Sequence, residues 1–176
     1  MRLIFFGLAV TVIYIGFEEV RLATHCRESV DLRPQALLSW PDHGPVWTQV
    51  AGYVHENGPE RTTHTSGSLI NYWVPLTNAR GERSVPVVLW IQGSGAGRGF
   101  REPFSEVAAS GIAYRPSPHT HDAVVDAFSS KHTSLATNFR VLEVDRKPGT
   151  LAGGTTVLGG GVCLLFLSLF GFQSRG

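Results

Sequence analysis

Charge is what this chain has least of: 16% of its residues are Asp, Glu, Lys or Arg, against roughly 25% in an ordinary soluble domain. The shortage lies at the two ends. Met1 to Phe17 holds one charge, Arg2, and Leu151 to Gln173 holds none. Setting aside Arg2 and Arg175 leaves thirteen basic residues facing fourteen acidic ones between positions 18 and 150. No surplus of Lys and Arg exists there to displace phosphate counterions, which excludes nucleic acid as a partner. Two cysteines, Cys26 and Cys163, make at most one bridge and exclude a disulfide scaffold. Internal repeats and low-complexity tracts are missing as well.

Long apolar runs are what the chain does have. Leu3 to Phe17, LIFFGLAVTVIYIGF, is fifteen uncharged residues, about 22 Å as a helix. A bilayer core of about 30 Å usually asks for around twenty residues. Met1 and Val20 lengthen the run, and Arg2 and Glu18-Glu19 reach toward headgroups, so a thinly matched span is expected. A cleaved secretory signal starts the same way but needs a small-residue cleavage site. Glu-Glu-Val-Arg follows Phe17 instead, and His25 precedes Cys26 where a lipoprotein signal wants a small residue. The expectation is a retained anchor.

Leu151 to Phe172 is twenty-two uncharged residues, about 33 Å as a helix and long enough to cross. A buried core helix of that length would carry polar residues on one face. Lys147-Pro148-Gly149 supplies turn chemistry just before it. Within the run Ala152, Thr156 and Gly160 lie four apart, as do Thr155, Gly159 and Cys163. Small residues at that spacing admit a close neighbour, most simply the first span. The plan is an N-terminal transmembrane anchor over 1–20, a central domain over 21–150 and a C-terminal transmembrane helix over 151–173. Arg2 and Arg175 flank the spans without acids, which predicts cytoplasmic termini in a bacterial inner membrane and a periplasmic central domain. Cys163 then lies about 18 Å inside the second span, too far from Cys26 for a bond, so two unbridged thiols are expected.

Between the spans the apolar period shifts to two. Val46, Thr48, Val50, Gly52 and Val54 alternate with Trp47, Gln49, Ala51 and Tyr53, which reads as a strand stopped by Glu56-Asn57-Gly58-Pro59. Leu69 to Leu76 reads as a second strand, with Pro75 confining its end to an edge or bulge. Asn78 to Arg83 is a polar hairpin turn. Val85 to Ile91 is apolar on both faces and reads as central. Arg101 to Ala109 has helical spacing with Gly111 as its stop, and Gly111 to Tyr114 a short strand after it. Asp122 to Phe128 reads as a second helix started by Ser117-Pro118, and Asn138 to Val144 as the last strand. The expected fold class is a membrane protein with two transmembrane α-helices flanking a small α+β, β-rich domain, either an open barrel of OB type or a compact sheet.

Val50-Ala-Gly-Tyr53, Tyr72-Trp-Val-Pro-Leu76, Val87-Val-Leu89 and the closing Val141-Leu-Glu-Val-Asp-Arg-Lys-Pro148 carry a resemblance to uncharacterised two-span bacterial membrane proteins with an extracytoplasmic β-rich domain. The architecture also resembles the SURF1-like assembly factors, whose domain is longer. What the resemblance implies is a helper or partner of a membrane complex, and it transfers no functional residue. Haem ligation by a single His comes only from that analogy; no cofactor is expected from the residues themselves.

Three constellations invite chemistry. Val87 to Gly99 runs a strand into glycines like the oxyanion loop of an α/β-hydrolase, but no G-x-S-x-G elbow exists anywhere in the chain. As a phosphate cradle the loop lacks the Gly-Lys-Ser/Thr of a P-loop and breaks G-x-G-x-x-G at Arg98. What survives is a set of backbone N–H groups at Gly93, Gly95 and Gly97 beside Arg98 and Arg101, able to hold an anion such as a lipid headgroup, against the plain reading of a flexible loop. His119, His121 and Asp122 are ligand-like, yet two imidazoles do not complete a metal site, and Pro118 makes them an ordinary solvated helix start. Trp47, Tyr53, Tyr72, Trp73 and Trp90 have no basic groove around them and read as packing residues. The expectation is therefore a non-enzymatic membrane-anchored component that contacts a membrane-protein partner in the lipid bilayer. The alternative is an anion- or metal-binding module built on the Gly93 to Arg101 loop and His119/His121.

Overall fold

The computed structural model describes residues 2–41, 44–63, 70–92, 99–100 and 102–170, in two compact units. One unit comprises the chain ends, Met1–Arg27 and Pro148–Gly176. Its elements are helix α1 (Arg2–His25) and a C-terminal helix (Leu151–Phe170). Among the described residues only the stretch Leu151–Leu169 is long and apolar enough to cross a membrane. The 24-residue α1 carries Glu18, Glu19 and Arg21 in its second half.

The two helices run antiparallel: Val20 faces Gly154, Gly16 faces Leu158, and Ile13 faces Gly161. A Cβ placed on Gly16 would stand 2.5 Å from the Leu158 backbone nitrogen, and one on Gly161 would stand 2.8 Å from that of Ile13. Only glycine admits so close an approach. Gly154, Gly161 and Ser168 are buried at a spacing of seven, opposite buried Ala9 and Gly16 and half-buried Ala23 at the same spacing. Seven is the repeat that keeps one seam facing a neighbour along both helices. The contact therefore differs from the one read at a spacing of four. Ala152, Thr156 and Gly160 lie on the exposed side, where a Cβ on Gly159 or Gly160 meets nothing within 4 Å. Neither Cys26, buried, nor Cys163, exposed, is in a disulfide.

The second unit, Glu28–Lys147, is a β-rich domain. It contains β1 (Val30–Leu32), α2 (Pro34–Leu38), β2 (Val46–Val54), β3 (Glu60–Thr63), β4 (Ile70–Thr77), β5 (Ser84–Gln92), β6 (Glu106–Tyr114), α3 (Pro118–Ser129) and β7 (Ser134–Val144), and the C-terminal helix of the first unit is α4. Strands β2, β6, β7, β5 and β4 close into a five-stranded barrel through the pairs Tyr53↔Thr77 and Val54↔Leu76 between β2 and β4. The pairings around it are antiparallel except β5 with β7. β1 adds parallel to β2, and β3 adds antiparallel to β4. The interior is filled by small branched residues that fit a narrow barrel: Val50, Val54, Val74, Val87, Leu89 and Leu142 among others.

The outer face carries a second apolar layer. Ser117 caps α3 by accepting from the Thr120 N–H at 3.3 Å, Pro118 occupies its first turn, and Val124 and Phe128 lie against Trp73, Val85, Val88, Phe139 and Val141. β5 is thus covered on both faces, as its continuous apolar run requires. Pro86 sits where the β5–β7 register shifts, between Val85 and Val87, at a point where no ladder donor is asked of it. Trp73 and Trp90 stack with centroids 5.7 Å apart, and the Trp73 indole N–H donates to Thr62 Oγ1 at 3.0 Å.

One expected element changes identity. The segment read as a helix over Arg101 to Ala109 becomes β6 from Glu106 onward, and Gly111, read as the helix stop, is mid-strand. Glu106 to Ala113 pair residue by residue with Tyr53 to Val46, and the barrel could not close without this strand. Eight ladder positions outweigh the weak helical preference of a Val-Ala-Ala run.

His55, just past β2, is buried at 5% exposure and its Nδ1 accepts from the Asn57 N–H at 3.2 Å. Burial holds its pKa below the ordinary 6.5, only partly offset by the Glu56 charge. Below about pH 6.5 the unfolded chain takes up a proton that the folded chain resists, so this contribution is fully present above that pH and is lost as pH falls. Thermal unfolding from about pH 7 to pH 5.5 should therefore lower the midpoint more in the native chain than in His55→Asn, which keeps an acceptor and removes the proton site. Equal losses in both would remove His55 from the acid sensitivity.

Candidate functional site

A polar recess of the domain lies at one end of the barrel. Helix α2 begins with Pro34 at its first turn after an extended Arg33, and Leu37, 1% exposed, joins the barrel core. The chain leaves α2 through Leu38, Trp40 and Pro41, which form one wall of a pocket of about 380 Å³. The opposite wall is Arg115, Asn138 and Arg140. Tyr114 and Val141 are the last paired residues of β6 and β7, so Arg115 and Arg140 are the next residues out along the ladder. Arg140 shares the strand phase of Leu142, which fills the barrel, and is 6% exposed. Its Nη2 donates to the Trp40 carbonyl at 2.9 Å, which fixes the guanidinium against the wall. A buried guanidinium is costly unless its donors are met, so its position here is a specified feature rather than a chance of sequence. On the outer face of the same strand pair, burial and then the Glu143 charge hold the Tyr114 phenol above its ordinary pKa.

A second recess, of about 340 Å³, lies between α3 and β7 and includes His121, Val125, Phe128, His132, Leu135 and Phe139. Its character is mainly apolar. His121 stacks on Phe139 at 5.2 Å, and its Nδ1 is 3.3 Å from Asp122 Oδ1. His132 adopts a left-handed backbone with φ of 52°.

The residues singled out from the sequence fare differently. Gly93, Gly95, Gly97, Arg98 and Arg101 lie outside the described residues. His121 and Asp122 are adjacent, while His119 is exposed in the first turn of α3. Among the described residues no group of three His, Cys, Asp or Glu side chains is placed to hold a metal ion. Arg115, Arg140 and Trp40 escaped the sequence reading. One signal was present: in Asn-Phe-Arg-Val-Leu-Glu-Val, position 140 shares the strand phase of Leu142 and Val144, and a charge there needs a partner or a role. Compared with known proteins, the chain matches no family model and no curated protein sequence.

Proposed function

We propose that this chain is a non-enzymatic, membrane-anchored accessory component that contacts a larger membrane complex, of the kind the SURF1-like resemblance implies. The observation that carries the reading is the surface of the helical pair. Outside the glycine seam, α1 exposes Ile4, Phe6 and Tyr14, and α4 exposes Val157, Phe166 and Leu167. Apolar groups on all outward sides suit lipid as the surrounding medium. Both helices then span a bacterial inner membrane, α1 with Glu18 and Arg21 at its boundary, the termini cytoplasmic and the barrel periplasmic. Around the barrel the strands follow the order β2, β4, β5, β7, β6, three in succession and then an exchanged pair. That Greek-key order supports an OB-type assignment, a scaffold used for recognition rather than for one fixed chemistry.

The chain is expected to stay in the membrane pellet on extraction at high pH, and its barrel to resist protease supplied from the cytoplasmic side. Release into the supernatant, or digestion of the barrel from that side, would overturn the reading. Purification in detergent should then bring a membrane protein with it, and His121→Ala should leave that association intact.

A further inference from the structure

We infer that Asn57 is a latent modification site, an amide that converts to aspartate and isoaspartate when a clasp formed by Lys131 and Thr133 opens. Asparagine is chemically labile, most of all before glycine, because Gly58 has no Cβ to hinder attack by its own nitrogen. In the step, the Gly58 backbone nitrogen gives its proton to solvent base and attacks Cγ of Asn57. The Cγ–Nδ2 bond breaks, ammonia leaves and a cyclic imide closes. Water then adds to either imide carbonyl and reopens the ring as aspartate or isoaspartate, with no oxidant or reductant. The fold restrains both reacting ends. Asn57 Nδ2 donates to the Lys131 carbonyl at 3.0 Å and to Thr133 Oγ1 at 2.7 Å. In return the Lys131 ammonium donates to the Asn57 carbonyl at 2.8 Å and pairs with the Glu60 carboxylate at 2.8 Å. Gly58 is buried, with φ of 65°, and its N–H donates to the His55 carbonyl at 2.9 Å. Attack therefore waits for the turn after β2 to part from the α3–β7 turn, a local opening that need not involve the barrel. The product cannot close as before. A carboxylate oxygen in place of Nδ2 sets acceptor against acceptor at the Lys131 carbonyl, which has no proton to give.

The test incubates the full chain in detergent micelles at mildly alkaline pH and follows position 57 by peptide mass spectrometry, with isoaspartate read by enzymatic methylation. Conversion at Asn57 is expected to be slow in the native chain and about tenfold faster or more in urea, where both bonds of the amide are lost. Asn71, Asn78 and Asn138, which precede Tyr72, Ala79 and Phe139, should remain amides over the same period. Thr133→Val removes one acceptor and should speed native conversion about fivefold, the effect of one hydrogen bond. Ile112→Val, opposite Trp47 at the other end of β2, lowers global stability instead and should leave the native rate unchanged. Asn57→Asp makes the product directly and should raise hydrogen exchange at 55–58 and 131–133 while β2 keeps its protection. Equal rates in the native chain and in urea, no acceleration in Thr133→Val, an acceleration in Ile112→Val equal to that in Thr133→Val, or unchanged exchange in Asn57→Asp would each overturn the inference.

Discussion

Replacing Gly161 by leucine is expected to force α1 and α4 apart and to destabilise the helical pair by about 1–3 kcal/mol or more, the usual cost of inserting methylenes into a closed contact. The Cβ alone would meet the Ile13 backbone nitrogen and Cγ1 at 2.8 Å, and backbone cannot turn aside as a flexible side-chain end can. In the proposed bilayer setting, where no hydrophobic driving force acts between helices, such close packing would be a main source of their association. The decisive comparison is with Gly159→Leu and Gly160→Leu, where no atom lies within 4 Å of an added Cβ. Those should fall within about 0.5 kcal/mol of the native chain. Denaturation of the chain in mixed detergent micelles, followed by helical circular dichroism, reads all three. If Gly160→Leu proved as damaging as Gly161→Leu, the seam at a spacing of seven would be wrong.

The same seam shows how far local pattern can be trusted in this chain. A helix with Gly153, Gly154, Gly159, Gly160 and Gly161 offers several small-residue faces, and spacing alone does not choose among them. The choice comes from α1, where Ala9, Gly16 and Ala23 repeat every seven and admit only one matching phase. In the barrel the opposite holds for β2. Its alternation Val46, Thr48, Val50, Gly52, Val54 stands in a surrounding of polar or half-buried residues, and those five positions are the buried ones. β5 and the end of β7 are legible because branched apolar residues crowd there. The start of β6 is not, because Ala108, Ala109 and Ser110 have little preference of their own and become a strand through pairing with β2, whereas its end over Gly111 to Tyr114 reads as a strand. Short edges such as β1 and β3 lack the length for any period to show. The barrel-end pocket was illegible for a related reason. Arg115 and Arg140 stand 25 positions apart in sequence and converge only through the antiparallel register.

Phe128→Ala should cost about 3–5 kcal/mol, the range for emptying a large aromatic site in a closed core. Phe128 is 1% exposed and is the largest side chain that α3 contributes, beside Val124 at 0%. Together they cover Trp73, Val85, Val88, Phe139 and Val141 on the outside of the barrel, a layer distinct from the interior set that includes Val50, Val74 and Leu142. Collapse into the cavity is hindered, since β5 and β7 are held by ladder bonds on both edges. The loss should therefore be partly local. Hydrogen exchange should quicken over Pro118 to Ser129 while the β2 amides keep more of their protection, as expected where one cooperative element loosens before the rest. Emission from the stacked Trp73–Trp90 pair lies in the same layer and should report the change in chemical denaturation. Val125→Ala, on the same helix but 40% exposed, should stay within about 0.5 kcal/mol. A Phe128→Ala cost no larger than that of Val125→Ala would mean that α3 rests on the barrel without sealing it, and the two-layer account of this domain would fail.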